Sequence, residues 1–305
     1  MATAADVFGE PRRRRGEQAV KVLLAAAAIL SVLTTTGIVF SLLEETISFF
    51  GNVGIGEFLT GTDWSPLFAD PSFGVLPLVT GTLLVSAIAL AVAIAVGLGA
   101  AVYLAEYASP RVRKAVKPVL ELLAGVPTIV FGYFALLFFT PEVLKPIFGE
   151  PLSGFNALSA GVIMGFMIVP TIASVSEDAM SAVPAALREG AFGLGSTKLQ
   201  VSTRVVFPAA LSGIVASFVL GASRAVGETM IVLIAAGLQP NFTADPRESV
   251  ETMTTFIAAT AKGDAPVGST AYEAIFAVGT LLFVMTFVMN MIAIRFVRKY
   301  RQVYE

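Results

Sequence analysis

Arg224 and Glu228 are two ionisable residues that stand four positions apart in a long apolar stretch of the chain. On one continuous helix this spacing places both side chains on the same face. An ionisable group at membrane depth costs at least about 2.5–3.5 kcal/mol, so it normally faces the protein interior and is paired. The Arg guanidinium presents a rigid fork of donors that suits a tetrahedral oxyanion, and Glu228 would hold that fork in place or accept a hydrogen bond from a protonated anion. The alternative is a structural ion pair that only orients the helix.

A second group of informative residues lies in the more polar segment 181–208, which predicts two short helices separated by a turn. Gly195 can supply the positive φ that ends the first helix. The second helix is expected over 197–205, before Pro208 restarts the chain. Such a helix–turn–helix can act as a lever between a soluble partner and a membrane core. The residues that the first helix would present are Arg188, Glu189, Gly190 and Ala191.

The composition decides which kind of molecule carries these groups. Apolar residues make up 56% of the chain and charged residues 14%, whereas soluble proteins have roughly 45–50% and about 25%. Lipid, not water, must therefore be the solvent for much of the surface. The chain has no cysteine and no histidine, which removes the thiolate nucleophile, the usual general base and the commonest metal ligand. We expect no metal site and no enzyme activity.

Six apolar stretches approach the length of roughly 20 residues that crosses a bilayer. They fall at 22–43, 75–104, 117–139, 156–177, 207–237 and 272–296. The sequence thus predicts an all-α integral membrane protein with one transmembrane domain, 22–297, whose core is 74–297 and whose tails are 1–21 and 298–305. A signal peptide is the alternative for the first stretch, but its apolar core would be shorter.

The distribution of basic residues predicts the orientation. Most of the 20 Lys and Arg residues lie in the N-terminal tail, around 111–117, in 181–208 and in the C-terminal tail. The positive-inside rule therefore places both termini in the cytoplasm. The outer segment 238–270 has an amphipathic centre at 249–261, for which a short interfacial helix and a flexible loop are equally favoured.

The segment 181–208 resembles the coupling loop of ABC importer permeases, whose pattern is E-A-A, three residues, G, nine residues, I-x-L-P. This chain has E-G-A at 189–191, Gly195, and V-V-F-P at 205–208, with the same spacing throughout. The resemblance implies that 188–195 docks into a cleft on a separate ATPase subunit. No phosphate-binding G-x-x-x-x-G-K-[S/T] loop is present, so ATP and Mg²⁺ are expected on the partner and no cofactor in this chain.

Three further strings resemble permeases of the high-affinity phosphate importer, in particular the PstC-like subunits. They are R-A-V-G-E-T-M at 224–230, G-V-P-T-I-V-F-G at 125–132 and V-P-T-I-A at 169–173. The resemblance implies a type I importer permease bundle in which Arg224, Glu228 and Thr229 serve phosphate passage. Pro127 and Thr128 would line the same path, although starting a helix is an equally good role for them.

The resemblance also implies the partners. These are a PstA-like second permease, two PstB-like ATPase subunits, an extracytoplasmic PstS-like binding protein and inorganic phosphate, at the bacterial cytoplasmic membrane and without nucleic acid. Two alternatives stay open: a permease for another oxyanion such as sulfate or molybdate, and a secondary transporter that uses Glu228 as a proton carrier.

Overall fold

The computed structural model describes residues 15–149, 152–263 and 265–300, so residues 1–14 and 301–305 of the predicted tails lie outside the described part. The helices are α1 (Arg15–Asn52), α2 (Ile55–Thr60), α3 (Leu76–Val102), α4 (Pro110–Ala124), α5 (Thr128–Phe134), α6 (Lys145–Phe148), α7 (Ala157–Ser181), α8 (Ala185–Gly193), α9 (Lys198–Val201), α10 (Phe207–Ala209), α11 (Leu211–Gly227), α12 (Met230–Ala235), α13 (Met253–Thr260) and α14 (Thr270–Tyr300). Three π-helical stretches, Tyr103–Tyr107, Ala135–Leu144 and Ser202–Val206, continue α3, α5 and α9.

The membrane spans agree with the predicted all-α class. Within the described ranges, five helical spans are long and apolar enough to cross a bilayer, and a sixth crossing results if the bent pair Lys198–Ala209 and Leu211–Gly227 counts as one. The two halves of that pair meet at 70°. Below, the loop face is the end of the bundle that carries 182–210, and the far face is the end that carries 53–75 and 236–269.

The predicted third span, 117–139, begins too early. Its first part belongs to α4, a separate helix that Ser109 caps and that has no buried residue. The sequence G-V-P at 125–127 ends this helix, since a proline disfavours the helical conformation of the residue before it. The actual span starts at Thr128 and runs to Phe148.

The predicted fifth span, 207–237, is not one continuous helix. The chain bends before Leu211, and α11 ends at Gly227. Glu228 adopts an extended conformation with φ −70° and ψ 133°, and α12 resumes the helix at Met230. The break lies between the two halves of the motif at 224–230.

The core of the bundle is formed by α7 packed against α3. Gly161 and Gly165 follow a G-x-x-x-G spacing, which allows two helix backbones to approach closely in a membrane. A Cβ added to Gly161 would lie 2.7 Å from the Cβ of Ile88, and one added to Gly165 would lie 2.7 Å from the Cβ of Val92. Close contact of the helices therefore depends on the absence of these side chains.

The far face is held together by aromatic residues and by the end of α1. Phe49, Phe58, Trp64, Phe73 and Phe256 form edge-to-face pairs whose ring centroids lie 4.8–6.3 Å apart. The amphipathic centre predicted at 249–261 contains the helix α13. It is buried among these elements and is not an interfacial helix.

Candidate translocation site and coupling loop

Arg224 lies in the last turn of α11 with its side chain half-buried. Its Nη1 atom lies 3.5 Å from Oγ1 of Thr171, which follows Pro170 in α7. None of the ion pairs of the described residues includes Arg224. The guanidinium therefore keeps most of its donors free. Thr171 was not predicted as a site residue, although the string V-P-T-I-A at 169–173 contains it.

Glu228 does not pair with Arg224 in this structure. Its Oε1 accepts hydrogen bonds from the backbone N–H groups of Met230 (3.0 Å) and Ile231 (3.3 Å). The carboxylate thus satisfies the first free N–H groups of α12. The prediction that Arg224 and Glu228 lie on one helical face is wrong, because it required a continuous helix and α11 ends at Gly227.

The other predicted site residues lie around the same break or at the start of α5. Thr229 precedes α12, is half-buried, and donates to the carbonyl of Gly227 at 3.4 Å. Pro127 precedes α5 and is exposed, while Thr128 is its first residue and is half-buried. Among the described residues, no hydrogen bond connects Pro127 or Thr128 to Arg224 or Glu228. Their role in lining a path stays a prediction.

Threonine side chains from distant parts of the chain stabilise the helix break at Glu228 and the elements packed around it. Thr254, at the start of α13, donates to the backbone carbonyl of Glu228 at 2.8 Å. Thr82 of α3 accepts from the N–H of Met253 at 3.0 Å, and Thr252 caps α13. Irregular backbone at membrane depth is tolerated only where protein buries it or where it lines a cavity. Thr254 was missed, and the T-x-T-T run at 252–255 is the signal that could have indicated it.

A buried carboxyl group lies just before this cluster. Glu251 is 6% exposed and lines a far-face cavity of about 210 Å³ together with Trp64. Burial away from water raises the pKa of Glu251 to about 8 from its ordinary value of 4.5. In the described part of the chain, Nε1 of Trp64 is the one buried side-chain polar atom without a hydrogen-bond partner.

The loop face carries the predicted helix–turn–helix. The first helix is α8, and Gly195 ends the turn with φ +82° as expected. Arg188 points toward the bundle: Nη1 donates to the carbonyl of Val183 at 2.5 Å, and Nη2 donates to Met180 at 2.8 Å and to Glu106 at 3.1 Å. Arg188 thus anchors α8 onto the ends of α7 and α3.

The outer surface of α8 and its turn is open. Glu189 and Gly190 are exposed, and Ala191 is half-buried. Phe192 and Leu194 beside them expose 46% and 89% of their surface. Exposed apolar residues grouped outside the spans are typical of a protein-docking surface.

An ion network joins α4 to the end of α7. The side chain of Glu177 is 1% exposed and pairs with Arg113 and, at 3.0 Å, with Lys117. Lys117 also reaches Asp178 at 2.7 Å, and Arg113 donates to Ser181 at 2.6 Å. A buried carboxylate is stable only with such partners, so α4 and α7 are held together at the loop face.

The comparisons with known proteins cover the break and the coupling loop. Residues 93–302 match the family described as binding-protein-dependent transport system inner membrane component. The probable ABC transporter permease protein YqgH of Bacillus subtilis is 31% identical over 97% of this chain and 96% of its own. The phosphate transport system permease protein PstC of Mesorhizobium japonicum is 32% identical over 88% of this chain and 86% of its own. PstC 1 of Mycobacterium tuberculosis is 35% identical over 80% and 82%.

Solved structures share the fold. A chain of the bacterial alginate ABC transporter, in complex with its alginate pentasaccharide-bound periplasmic protein, aligns with a TM-score of 0.65 at 18% identity, covering 96% of this chain and 100% of that one. A chain of the MetNI methionine ABC transporter in an inward-facing conformation aligns with a TM-score of 0.58 at 20% identity, covering 74% and 96%.

Proposed function

Since the chain belongs to the family of inner membrane components of binding-protein-dependent transport systems, and is thus a permease subunit of an ABC importer, we propose that its substrate is inorganic phosphate. The observation that carries this proposal is the guanidinium of Arg224, which lies beside a break in the membrane helix without an acidic partner among the described residues. The PstC relatives support the choice of phosphate.

Arg224 is the binding group in this proposal. A guanidinium offers paired donors that match two oxygens of a tetrahedral anion. Thr171, 3.5 Å from Nη1, adds a hydroxyl that can donate to the same anion. One Arg and one hydroxyl bind weakly enough for release, which transport requires.

Glu228 and Thr229 shape the site in this proposal. Because the Glu228 carboxylate binds the N–H groups that open α12, it fixes the helix break beside Arg224 without neutralising the guanidinium. The same local bonds oppose the hypothesis of a secondary transporter, since a proton carrier must exchange its proton with water on both sides.

The chain forms half of the pathway in this proposal. A PstA-like permease completes the pore, a PstS-like binding protein delivers phosphate at the far face, and two PstB-like ATPase subunits hold ATP and Mg²⁺. The outer surface of α8, with Glu189 and Gly190, docks into the ATPase, and Arg188 transmits its movement to α7 and α3. Both termini then lie in the cytoplasm, as the basic residues predict.

The test is phosphate uptake by cells that lack their own importer and express the complete complex. Arg224→Gln removes the charge and keeps a polar side chain, so we expect uptake to be lost while the complex still assembles. The matched control is Arg298→Gln, an exposed position in α14, which should leave uptake unchanged. Normal uptake by Arg224→Gln would refute the assignment, and competition by sulfate or molybdate as strong as by phosphate would refute the choice of substrate.

A further inference from the structure

The helix break at Glu228 leaves a backbone carbonyl that depends on one distant side chain. Because Glu228 is extended and lies between α11 and α12, its carbonyl oxygen accepts no backbone hydrogen bond in the described part of the chain. Its partner is the Oγ1 hydroxyl of Thr254, at 2.8 Å. Thr254 is 8% exposed. A buried carbonyl without a partner costs free energy comparable to a lost hydrogen bond, so the extended conformation of Glu228 depends on this hydroxyl.

The other end of α12 is tied to the same segment of the chain. The carbonyl of Ala236, which follows α12, accepts hydrogen bonds from Oγ of Ser249 at 2.8 Å and from the N–H of Val250 at 3.2 Å. The segment 249–254 therefore holds α12 at both ends. Among the described residues, the Thr254 bond is the one hydrogen bond that connects this segment to the break itself.

The helix α13 fixes this segment to α3 and to the far face. The N–H of Met253 donates to Oγ1 of Thr82 in α3 at 3.0 Å. The ring of Phe256 packs edge-on against Trp64, with centroids 4.8 Å apart. Thr254 and Phe256 belong to the same short capped helix. A displacement of the far face at Trp64 is therefore passed along α13 and reaches the helix break through Thr254.

We propose that Thr254 is a positioning residue for anion passage: its hydroxyl joins the helix break beside Arg224 to α13, so that the break and the far face move together. The inference rests on the proposed function, in which Arg224 is the binding group. Without the hydroxyl, α12 stays tied at Ala236, but the break shifts relative to Arg224. The coupling helix α8 lies at the opposite end of the bundle and is unaffected, so ATP is still consumed while less phosphate passes.

The test is the ratio of phosphate transported to ATP hydrolysed by the complete complex in proteoliposomes, with the binding protein on the far-face side and ATP on the loop-face side. Thr254→Val removes the hydroxyl and keeps a branched side chain. We expect this ratio to fall roughly five-fold, the factor that corresponds to about 1 kcal/mol for one hydrogen bond. Thr254→Ser keeps the hydroxyl and should retain the wild-type ratio. Thr260→Val is the matched control, because Thr260 is buried in the same helix and its side chain makes no hydrogen bond within the described ranges.

The possible failures can be told apart. A wild-type ratio for Thr254→Val would overturn the inference and leave the proposed function standing. A loss of uptake and of hydrolysis by the same factor would also overturn it, because the hydroxyl would then only stabilise the folded complex. An equally low ratio for Thr254→Ser would assign the effect to the lost methyl group and not to the hydrogen bond. A wild-type complex that imports no phosphate would refute the proposed function itself, and this inference with it.

Discussion

Replacement of Glu251 by Gln should change how the stability of the protein depends on pH. The carboxyl group is buried in the segment between α12 and α13, outside the spans, and its pKa is about 8 in the fold against an ordinary value of 4.5. The fold therefore prefers the neutral acid, while the unfolded chain ionises it near pH 4.5. Gln is close to Glu in shape and remains neutral at every pH in this range.

The sign of the effect follows from proton linkage. Between pH 4.5 and about 8 the native state holds a proton on Glu251 that the unfolded state has released, so stability falls as the pH rises. The contribution of the neutral acid is complete below pH 4.5 and is lost by about pH 8. At 1.36 kcal/mol per pKa unit, this difference amounts to on the order of 5 kcal/mol as an upper bound.

The assay is the thermal unfolding midpoint of the purified complex at a series of pH values from 5 to 9. We expect the midpoint of wild type to decrease relative to that of Glu251→Gln as the pH rises, with the difference levelling off above about pH 8. Glu248→Gln is the matched control, since Glu248 is exposed in the same segment, and it should follow wild type. Parallel curves for wild type and Glu251→Gln would refute the reasoning.

Two further substitutions test the packing and the anchor of the coupling loop. Gly165→Val should destabilise the bundle by about 1–3 kcal/mol or more, because a Cβ there would lie 2.7 Å from a side-chain atom of α3; an unchanged unfolding midpoint would contradict the close contact. Arg188→Ala should cost about 1–3 kcal/mol by leaving the carboxylate of Glu106 without its ion pair, and it should loosen α8. Reduced co-purification of the ATPase would support this anchoring role, and normal co-purification and stability would contradict it.

The features that the sequence predicted well are local or compositional. The prediction of a membrane protein follows from the low fraction of charged residues, since this fraction does not depend on how the chain packs. The turn at Gly195 was predicted because a positive φ at the end of a short helix favours glycine, and the structure has φ +82° there. The family could be predicted because its motifs and their spacing are visible in the sequence alone, and the family match confirms it.

The features that were missed depend on contacts between distant residues. The break after Gly227 could not be predicted, because the apolar stretch continues through 230–237. In the sequence, Glu228 stands at the spacing of an ion pair with Arg224, although its carboxylate caps α12 in the structure. Thr171 and Thr254 are ordinary threonines until α7 and α13 bring them to Arg224 and Glu228. The amphipathic α4 was merged into the third span because Val126 and Pro127 are themselves apolar.

The central claim is that this permease imports phosphate with energy from a partner ATPase that acts through α8. The most direct test is uptake of radiolabelled phosphate into cells that lack their own importer and express the complex with either wild type or Glu189→Lys. Glu57→Lys, an exposed charge reversal in α2, is the matched control. The account predicts that uptake requires ATP and is lost in Glu189→Lys while the subunit still reaches the membrane. Uptake that persists after ATP depletion and follows a proton gradient would contradict it.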